Sequence, residues 1–238
     1  MAGRYKITYL YQPEREVYNI VSKYVPEGWD FAFVDINNDA EILKHMPDTD
    51  FIMGSRLTAQ HIAAAPKLKL VAHQGVGYDG IRFCITVPGT CDGVAEHIIL
   101  LILALYKHLI EADAALRQGK WLSGSLRTKC YLFEDKVLGL VGLGRIGKEL
   151  AKRARGFDPI MIYYDIVRPT PEVEKQLGVT YVPLDELLKT SDIVSVHVPL
   201  TPQTRKFLGA REFALMKPTA IFINTSRGAV VDEPALYQ

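Results

Sequence analysis

The stretch VLGLVGLGRIGKELAKRARGFDPIMIYYD, residues 137–165, decides how the rest of the chain is read. Val137 to Val141 is an apolar run of strand length. Gly142-Leu143-Gly144-Arg145-Ile146-Gly147 then opens a helical pattern carried on by Leu150 and Ala154, and a second apolar run, Ile160 to Tyr164, ends on the acid Asp165. Strand, glycine turn, helix, strand and acid at this spacing predict a parallel β-α-β unit rather than a chance glycine-rich loop.

Each position has a physical reason. Gly142 permits the tight strand-to-helix turn, Gly144 lets the backbone approach a pyrophosphate, and Gly147 lets the helix sit close to the strand. The helix N-terminus offers N–H groups and partial positive charge to the phosphates. Asp165 is placed to accept hydrogen bonds from an adenosine ribose, and its charge repels a 2′-phosphate, so NAD is the expected cofactor over NADP. Arg168, three residues on, offsets part of that repulsion.

The totals set bounds. The chain has 238 residues, a net charge of +1 and no basic block, so no nucleic-acid partner is expected. The longest apolar stretch, Ile98 to Tyr106, is too short to span a bilayer, and the N-terminus lacks a signal-peptide pattern, so no membrane partner is expected. Cys84, Cys91 and Cys130 show no CxxC spacing and the six histidines are scattered, which fits a cytoplasmic protein without a metal site.

Outward from the central stretch, strands and helices alternate. Before it come strands at Lys6 to Tyr11, Phe31 to Val34, Phe51 to Met53 and Leu68 to Ala72, with helices at Glu14 to Val25, Asp39 to His45 and Ala59 to Ala65. Such alternation predicts a parallel sheet covered by helices. Two loops fall at its carboxyl edge, Gly54-Ser55-Arg56 and His73 to Asp79. In the second, Gly75 and Gly77 free the backbone either to form an anion nest suited to a carboxylate or simply to turn. Val94 to Ile110 reads as one long helix, apolar for most of its circumference over Ile98 to Leu105, which must be buried between domains or against a second subunit. It marks a boundary between domains at 1–92 and 93–238. Gly119 to Tyr131 reads as a surface loop. After Asp165 the pattern continues with strands at Thr180 to Val182, Ile193 to Val198 and Ala220 to Asn224, and helices at Pro183 to Lys189 and Arg211 to Met216. Arg227 then emerges at the edge where a nicotinamide should lie. An arginine in a loop usually makes a surface salt bridge, but Gly228 and the small residues before it favour a functional role.

With these residues in view, the chain resembles the D-isomer-specific 2-hydroxyacid dehydrogenases, the group that includes phosphoglycerate dehydrogenase and glyoxylate/hydroxypyruvate reductase. The resemblance rests on Gly75 to Asp79, Val94-Ala95-Glu96-His97, Val141 to Gly147, His197-Val198-Pro199-Leu200-Thr201, and Asn224-Thr225-Ser226-Arg227-Gly228 with Val231-Asp232. It implies a Rossmann-type doubly wound parallel sheet, incomplete here, plus a smaller flavodoxin-like α/β domain. It also implies an enzyme moving hydride between NAD(H) and a 2-oxo or 2-hydroxy acid. Arg227 would bind the substrate's carboxylate and carbonyl oxygen, and the backbone amides of Val76 and Gly77 the carboxylate; beside what the resemblance implies, Gly75 of the same loop and Arg56 after the third strand are expected at the substrate pocket. Arg145 and Ile146 would lie on the pyrophosphate and Asp165 on the ribose. Val198, Pro199, Thr204, Thr225 and Ser226 would line the rest of the cofactor groove. The helix over 94–110 would form a homodimer. His197 looks like a general acid, yet the resemblance implies a different His, paired with a Glu, both beyond Arg227.

Two departures shape the expectations. The chain stops at Gln238, before that pair and the remaining strands, so weak or absent turnover is expected, since loss of general acid catalysis typically costs about 10²–10⁴-fold. Ala220 to Asn224 is left as an apolar edge. Second, Ile81-Arg82-Phe83 follows Gly80 almost at once, where the family inserts a short helix. So tight a crossover to a strand at Phe83 to Val87 is not expected to be feasible, which points to a repositioned strand or an incomplete or mis-spliced copy, the second being favoured. An alternative function is an NAD(H)-sensing, corepressor-like binding module without catalysis.

Overall fold

The computed structural model describes residues 5–12, 15–54, 56–73, 85–86 and 90–237. The chain divides into two compact units, Met1–Thr90 and Cys91–Gln238.

The first unit alternates β1 (Lys6–Tyr11), α1 (Arg15–Val21), β2 (Asp30–Asp35), α2 (Asp39–His45), β3 (Phe51–Gly54), α3 (Ala59–Ala63), β4 (Leu70–His73) and β5 (Ile85–Thr86). All pairings are parallel and the strand order is β2-β1-β3-β4-β5, the flavodoxin-like winding. Alternate residues send Leu10, Val34, Ile52 and Val71 to one face, where they pack with Ile42, Met46, Leu57 and Ala65. Each of the larger ones, from valine up, contributes roughly 1.5–3 kcal/mol by burial. The opposite face carries stacked rings, Tyr9 on Phe33 at 5.4 Å between centroids, with Tyr18 of α1 edge-on to Phe33 at 5.5 Å. Short helices survive here because their ends are capped. Asn38 accepts from the Glu41 amide (3.1 Å), and Thr58 and His61 cap each other reciprocally.

The expectation of an unworkable crossover is corrected. β5 lies in parallel register beside β4, Ala72 opposite Ile85 and His73 opposite Thr86. The connection counts from His73 rather than Gly80, and residues 74–84 reach the minimum of about 10–12 residues that a parallel crossover needs.

The second unit begins with α4 (Thr90–Tyr106), α5 (Leu109–Arg117) and α6 (Ser123–Leu126). It then winds through β6 (Val137–Val141), α7 (Arg145–Ala154), β7 (Ile160–Tyr164), α8 (Pro171–Leu177), β8 (Val179–Tyr181), α9 (Leu184–Thr190), β9 (Ile193–Val196), α10 (Ala210–Leu215), β10 (Ile221–Asn224) and α11 (Glu233–Leu236). The sheet order is β10-β9-β6-β7-β8, all parallel, with the reversal between β6 and β9. This is the doubly wound Rossmann arrangement expected from the sequence. Two cores flank the sheet. Leu138, Leu140, Tyr163 and Ile193 pack against α4 and α7 on one side, and Val141, Ile162, Val194 and Val196 against α9 on the other.

Two expectations are corrected here. The helix expected over 94–110 is two helices meeting at 65°. His108 adopts a left-handed conformation, φ 50°, which ends α4 and starts α5. The bend is held from the side, because the His108 imidazole donates to the Lys129 carbonyl (3.2 Å) and Lys107 Nζ to the Tyr131 carbonyl (2.7 Å). The stretch Gly119 to Tyr131, expected to be loop, contains α6, drawn inward by the buried Leu126. On α4 the stripe Ala95, Ile98, Ile102 and Tyr106 is buried, while Leu100 and Leu105 are exposed. Among the described residues no single helix is long and apolar enough to cross a membrane.

Candidate active site at the carboxyl edge of the second sheet

The turn after β6 has the geometry that its three glycines require. Gly142 sits at φ +101°, where a Cβ would crowd the backbone of His197 and Val198 at 3.2 Å. At Gly147 a Cβ would lie 2.4 Å from the Gly142 carbonyl oxygen, so α7 reaches the strand only because that side chain is missing. Gly144 differs. It is extended, it precedes the first residue of α7, and a Cβ there would meet nothing within 4 Å. The N-terminus of α7 therefore has no side-chain cap and opens onto empty space beside an exposed glycine. Amides and helix dipole together make such a place suited to a diphosphate.

Asp165, at the end of β7, closes the other side of the turn. Its Oδ2 accepts the Leu143 amide at 2.7 Å and its Oδ1 the Val167 amide at 2.9 Å. The carboxylate is thus aimed at the glycine turn and half-buried. Each oxygen keeps a lone pair beyond the one so used, which leaves room for the two hydroxyls of a ribose. An adenosine dinucleotide fits these residues: the open cradle at Gly144 for the diphosphate, Asp165 for the sugar.

The loops after β9 and β10 complete the edge. Val198 is half-buried and Pro199 exposed. Thr204 does not offer its hydroxyl to the groove, since Oγ1 donates to the Pro199 carbonyl (2.6 Å) and accepts the Thr201 amide (2.7 Å). It shapes the 199–204 loop instead. Thr225 Oγ1 is buried with no hydrogen-bond partner among the described residues. Ser226 Oγ and its amide both donate to Asn224 Oδ1, and Asn224 Nδ2 donates to the Arg227 carbonyl. Asn224, the last residue of β10, was quoted in the sequence motif but given no role there, yet its side-chain amide ties this turn together, as asparagine commonly does where a chain turns. Arg227 is half-buried, and its Nη1 donates to the Ser226 carbonyl at 2.9 Å.

His197 has a structural placement. Its amide donates to the Val141 carbonyl (2.8 Å), pairing the loop to β6. Both ring nitrogens are buried without partners among the described residues, and the ring lies beside the start of α7, 3.7 Å from where a Gly147 Cβ would be. Burial pushes its pKa down to about 4, so the imidazole is neutral at neutral pH.

The structure thus brings Gly142, Gly144, Arg145, Ile146, Gly147, Asp165, Val198, Pro199, Thr204, Thr225, Ser226 and Arg227 to the carboxyl ends of β6, β7, β9 and β10, one edge of one sheet. Ligands of wound sheets gather at that edge. Arg56 belongs to the first unit. It sits at φ 60° just past β3, with Nη1 donating to Asn37 Oδ1 at 2.9 Å. Gly75, Val76 and Gly77, with Ser55 and the rest of residues 74–84, lie outside the described residues. The sequence reading missed α8. Its signals were present: Thr170-Pro171 as a start, and Gly178 as a stop with φ 69°.

Comparison with known proteins agrees with this geometry. The NAD binding domain of the D-isomer specific 2-hydroxyacid dehydrogenases matches residues 99–238. Glyoxylate reductase of Thermococcus litoralis is 45% identical over 187 residues, covering 72% of this chain and 56% of that protein. Hydroxypyruvate reductase of Thermotoga maritima is 39% identical over 211 residues, covering 83% and 67%. The chain therefore spans between about half and two thirds of the length of these relatives. Among solved structures, D-lactate dehydrogenase of Aquifex aeolicus in complex with NAD and lactic acid superposes with a TM-score of 0.79 at 28% identity, covering 97% of this chain and 72% of that one. The holo form of Rhodotorula graminis D-mandelate dehydrogenase gives 0.81 at 26% identity, covering 98% and 76%. With its family's NAD binding domain matched over 99–238 and relatives 45% and 39% identical over 72% and 83% of its length, this chain belongs to the D-isomer specific 2-hydroxyacid dehydrogenases.

Proposed function

We propose that this chain carries the cofactor-binding part, and some of the acid-binding part, of a cytoplasmic NAD-dependent dehydrogenase that interconverts a small 2-oxo acid and its 2-hydroxy acid. In this reading residues 93–238 hold the dinucleotide and residues 1–92 contribute to the substrate pocket. The observation that carries it is the glycine turn, open at Gly144 and tight at Gly147, with Asp165 aimed into it. When bound, NADH supplies the hydride. The protein's own residues hold and orient the reactants. The first amides of α7, at Arg145 and Ile146, bind the diphosphate, Asp165 takes the ribose, and Val198, Pro199, Thr225 and Ser226 border the groove. Arg227 binds the acid's carboxylate and carbonyl oxygen, and its charge stabilises the negative charge that develops on that oxygen. Gly75, Val76 and Gly77 offer their amides to the carboxylate, with Arg56 at the pocket. The exposed leucines of α4 support pairing of two copies through the segment 94–110.

The test is a titration of the full chain with NADH, followed by nicotinamide fluorescence, and then of the loaded protein with oxamate as an unreactive mimic of a 2-oxo acid. The proposal expects saturable binding of both. Arg227→Ala should weaken oxamate at least about tenfold while leaving NADH within about threefold, since a charge-assisted hydrogen bond is worth about 1.5–3 kcal/mol. Folded protein that never saturates with NADH would refute the proposal, and oxamate binding indifferent to Arg227 would remove that residue's role.

A further inference from the structure

Arg168 stands three residues beyond Asp165, where a cation turned toward an adenosine ribose would welcome a 2′-phosphate. The structure holds it elsewhere. Arg168 Nε and Nη2 donate to Glu174 Oε1 and Oε2 at 2.7 and 3.1 Å, a two-pronged pairing with the guanidinium plane engaged. The guanidinium carbon also lies 4.9 Å from the centre of the Tyr181 ring, a cation–π contact on β8.

The anchor is firmer than the arginine. The Arg168 side chain is 58% exposed, whereas that of Glu174 is only 13% exposed. Glu174 Oε1 accepts the Tyr163 hydroxyl at 2.5 Å, and Tyr163 belongs to the fully buried core of β7. Hydrogen bonds from Arg168 first, and from Tyr163, hold the Glu174 carboxyl below the usual carboxylate range, so it is charged throughout the physiological span. Helix α8, with a proline in its first turn and a left-handed glycine at its end, fixes where Glu174 stands.

We propose that Glu174, backed by Tyr163 and Tyr181, is a cofactor-specificity lock: it sequesters Arg168 on the β8 side of the loop, so that a 2′-phosphorylated dinucleotide meets Asp165 without a compensating cation. The lock rests on the reading of the glycine turn as a dinucleotide site. Glu174 is a positioning residue in this account. It touches no cofactor and acts by where it keeps Arg168.

The experiment compares NADH and NADPH titrations of the full chain, read by fluorescence, with circular dichroism as the folding control. Glu174→Gln keeps the side chain's shape and removes the charge that detains Arg168. It should tighten NADPH by about tenfold, the size of one new charge-assisted contact, and leave NADH within about threefold. Adding Arg168→Ala to Glu174→Gln should abolish the gain. In the parent protein, Arg168→Ala alone should leave NADPH affinity within about twofold, because the arginine is already withdrawn. A tenfold loss of NADPH affinity in that single variant would overturn the lock, as would an unchanged NADPH-to-NADH ratio in Glu174→Gln. In both cases NADH binding by the parent persists and the dinucleotide site stands. Failure of the parent to bind either dinucleotide would instead sink the site itself and the lock with it.

Discussion

Substituting alanine at two glycines of one turn should have opposite consequences, and the difference isolates the cradle. At Gly147 the added methyl would lie 2.4 Å from the Gly142 carbonyl oxygen, a backbone atom that cannot swing aside. Helix α7 must therefore back away from β6, and overpacking of that kind typically costs about 1–3 kcal/mol. The second unit runs from Cys91 to Gln238, a size at which each kcal/mol shifts the midpoint by roughly 2–4 °C, so Gly147→Ala should melt about 4–8 °C lower for a cost near 2 kcal/mol. At Gly144 the methyl meets nothing within 4 Å and the backbone is already extended. The cost to folding there is limited to the preference of a helix N-cap for glycine over alanine, below about 1 kcal/mol. That methyl would, however, occupy the space assigned to the diphosphate, so Gly144→Ala should bind NADH at least about tenfold more weakly, a loss of about 1.4 kcal/mol. Differential scanning fluorimetry and NADH titration on both variants measure the two effects. A Gly144→Ala protein with parental NADH affinity would refute the placement of the diphosphate, and a Gly147→Ala protein with parental melting would refute the contact between α7 and β6.

His197 gives a pH dependence with a definite sign. Burial lowers its folded pKa to about 4 from an ordinary 6.5, so between those values the unfolded chain binds more protons than the folded one. Its contribution is present in full above about pH 6.5 and is lost as pH falls toward 4, by up to about 3 kcal/mol in all. Urea denaturation across that window should show the parent losing stability more steeply than His197→Phe, and parallel curves would mean that the imidazole is not buried uncharged. Ile102→Ala removes a fully buried side chain from the stripe of α4 and should cost about 2–5 kcal/mol by the same assay. A loss below about 0.5 kcal/mol would show that α4 does not pack on β6 and α7 as described.

The fold was legible where local pattern and tertiary demand coincide. In residues 137–165 the apolar runs, the glycines and the closing acid all describe one unit, and the strands and helix appear where the pattern puts them. The long apolar segment over 94–110 was harder, because periodicity records which residues avoid water and is silent on a single residue entering left-handed space. His108 does that, and residues 129–131, distant in sequence, hold the bend. Helix α8 escaped because it is short and largely polar, with Leu177 as its one buried residue, although its caps were there to be read. At the site, the positions of Gly142, Gly147 and Asp165 follow from spacing. That Asp165 would hold the Leu143 amide, that Thr204 would spend its hydroxyl on its own loop, and that Asn224 would brace Arg227 depend on side-chain directions that no spacing encodes.

The central claim is that an adenosine dinucleotide lies on the turn after β6 with its sugar at Asp165, and hydrogen exchange of backbone amides reads that contact directly. Saturating NADH should slow exchange in peptides covering residues 142–148 and 164–168, with much smaller changes in peptides from β8, α9 and α10. Slowing that left 142–148 untouched, at NADH concentrations where fluorescence reports full binding, would place the cofactor elsewhere and contradict the account.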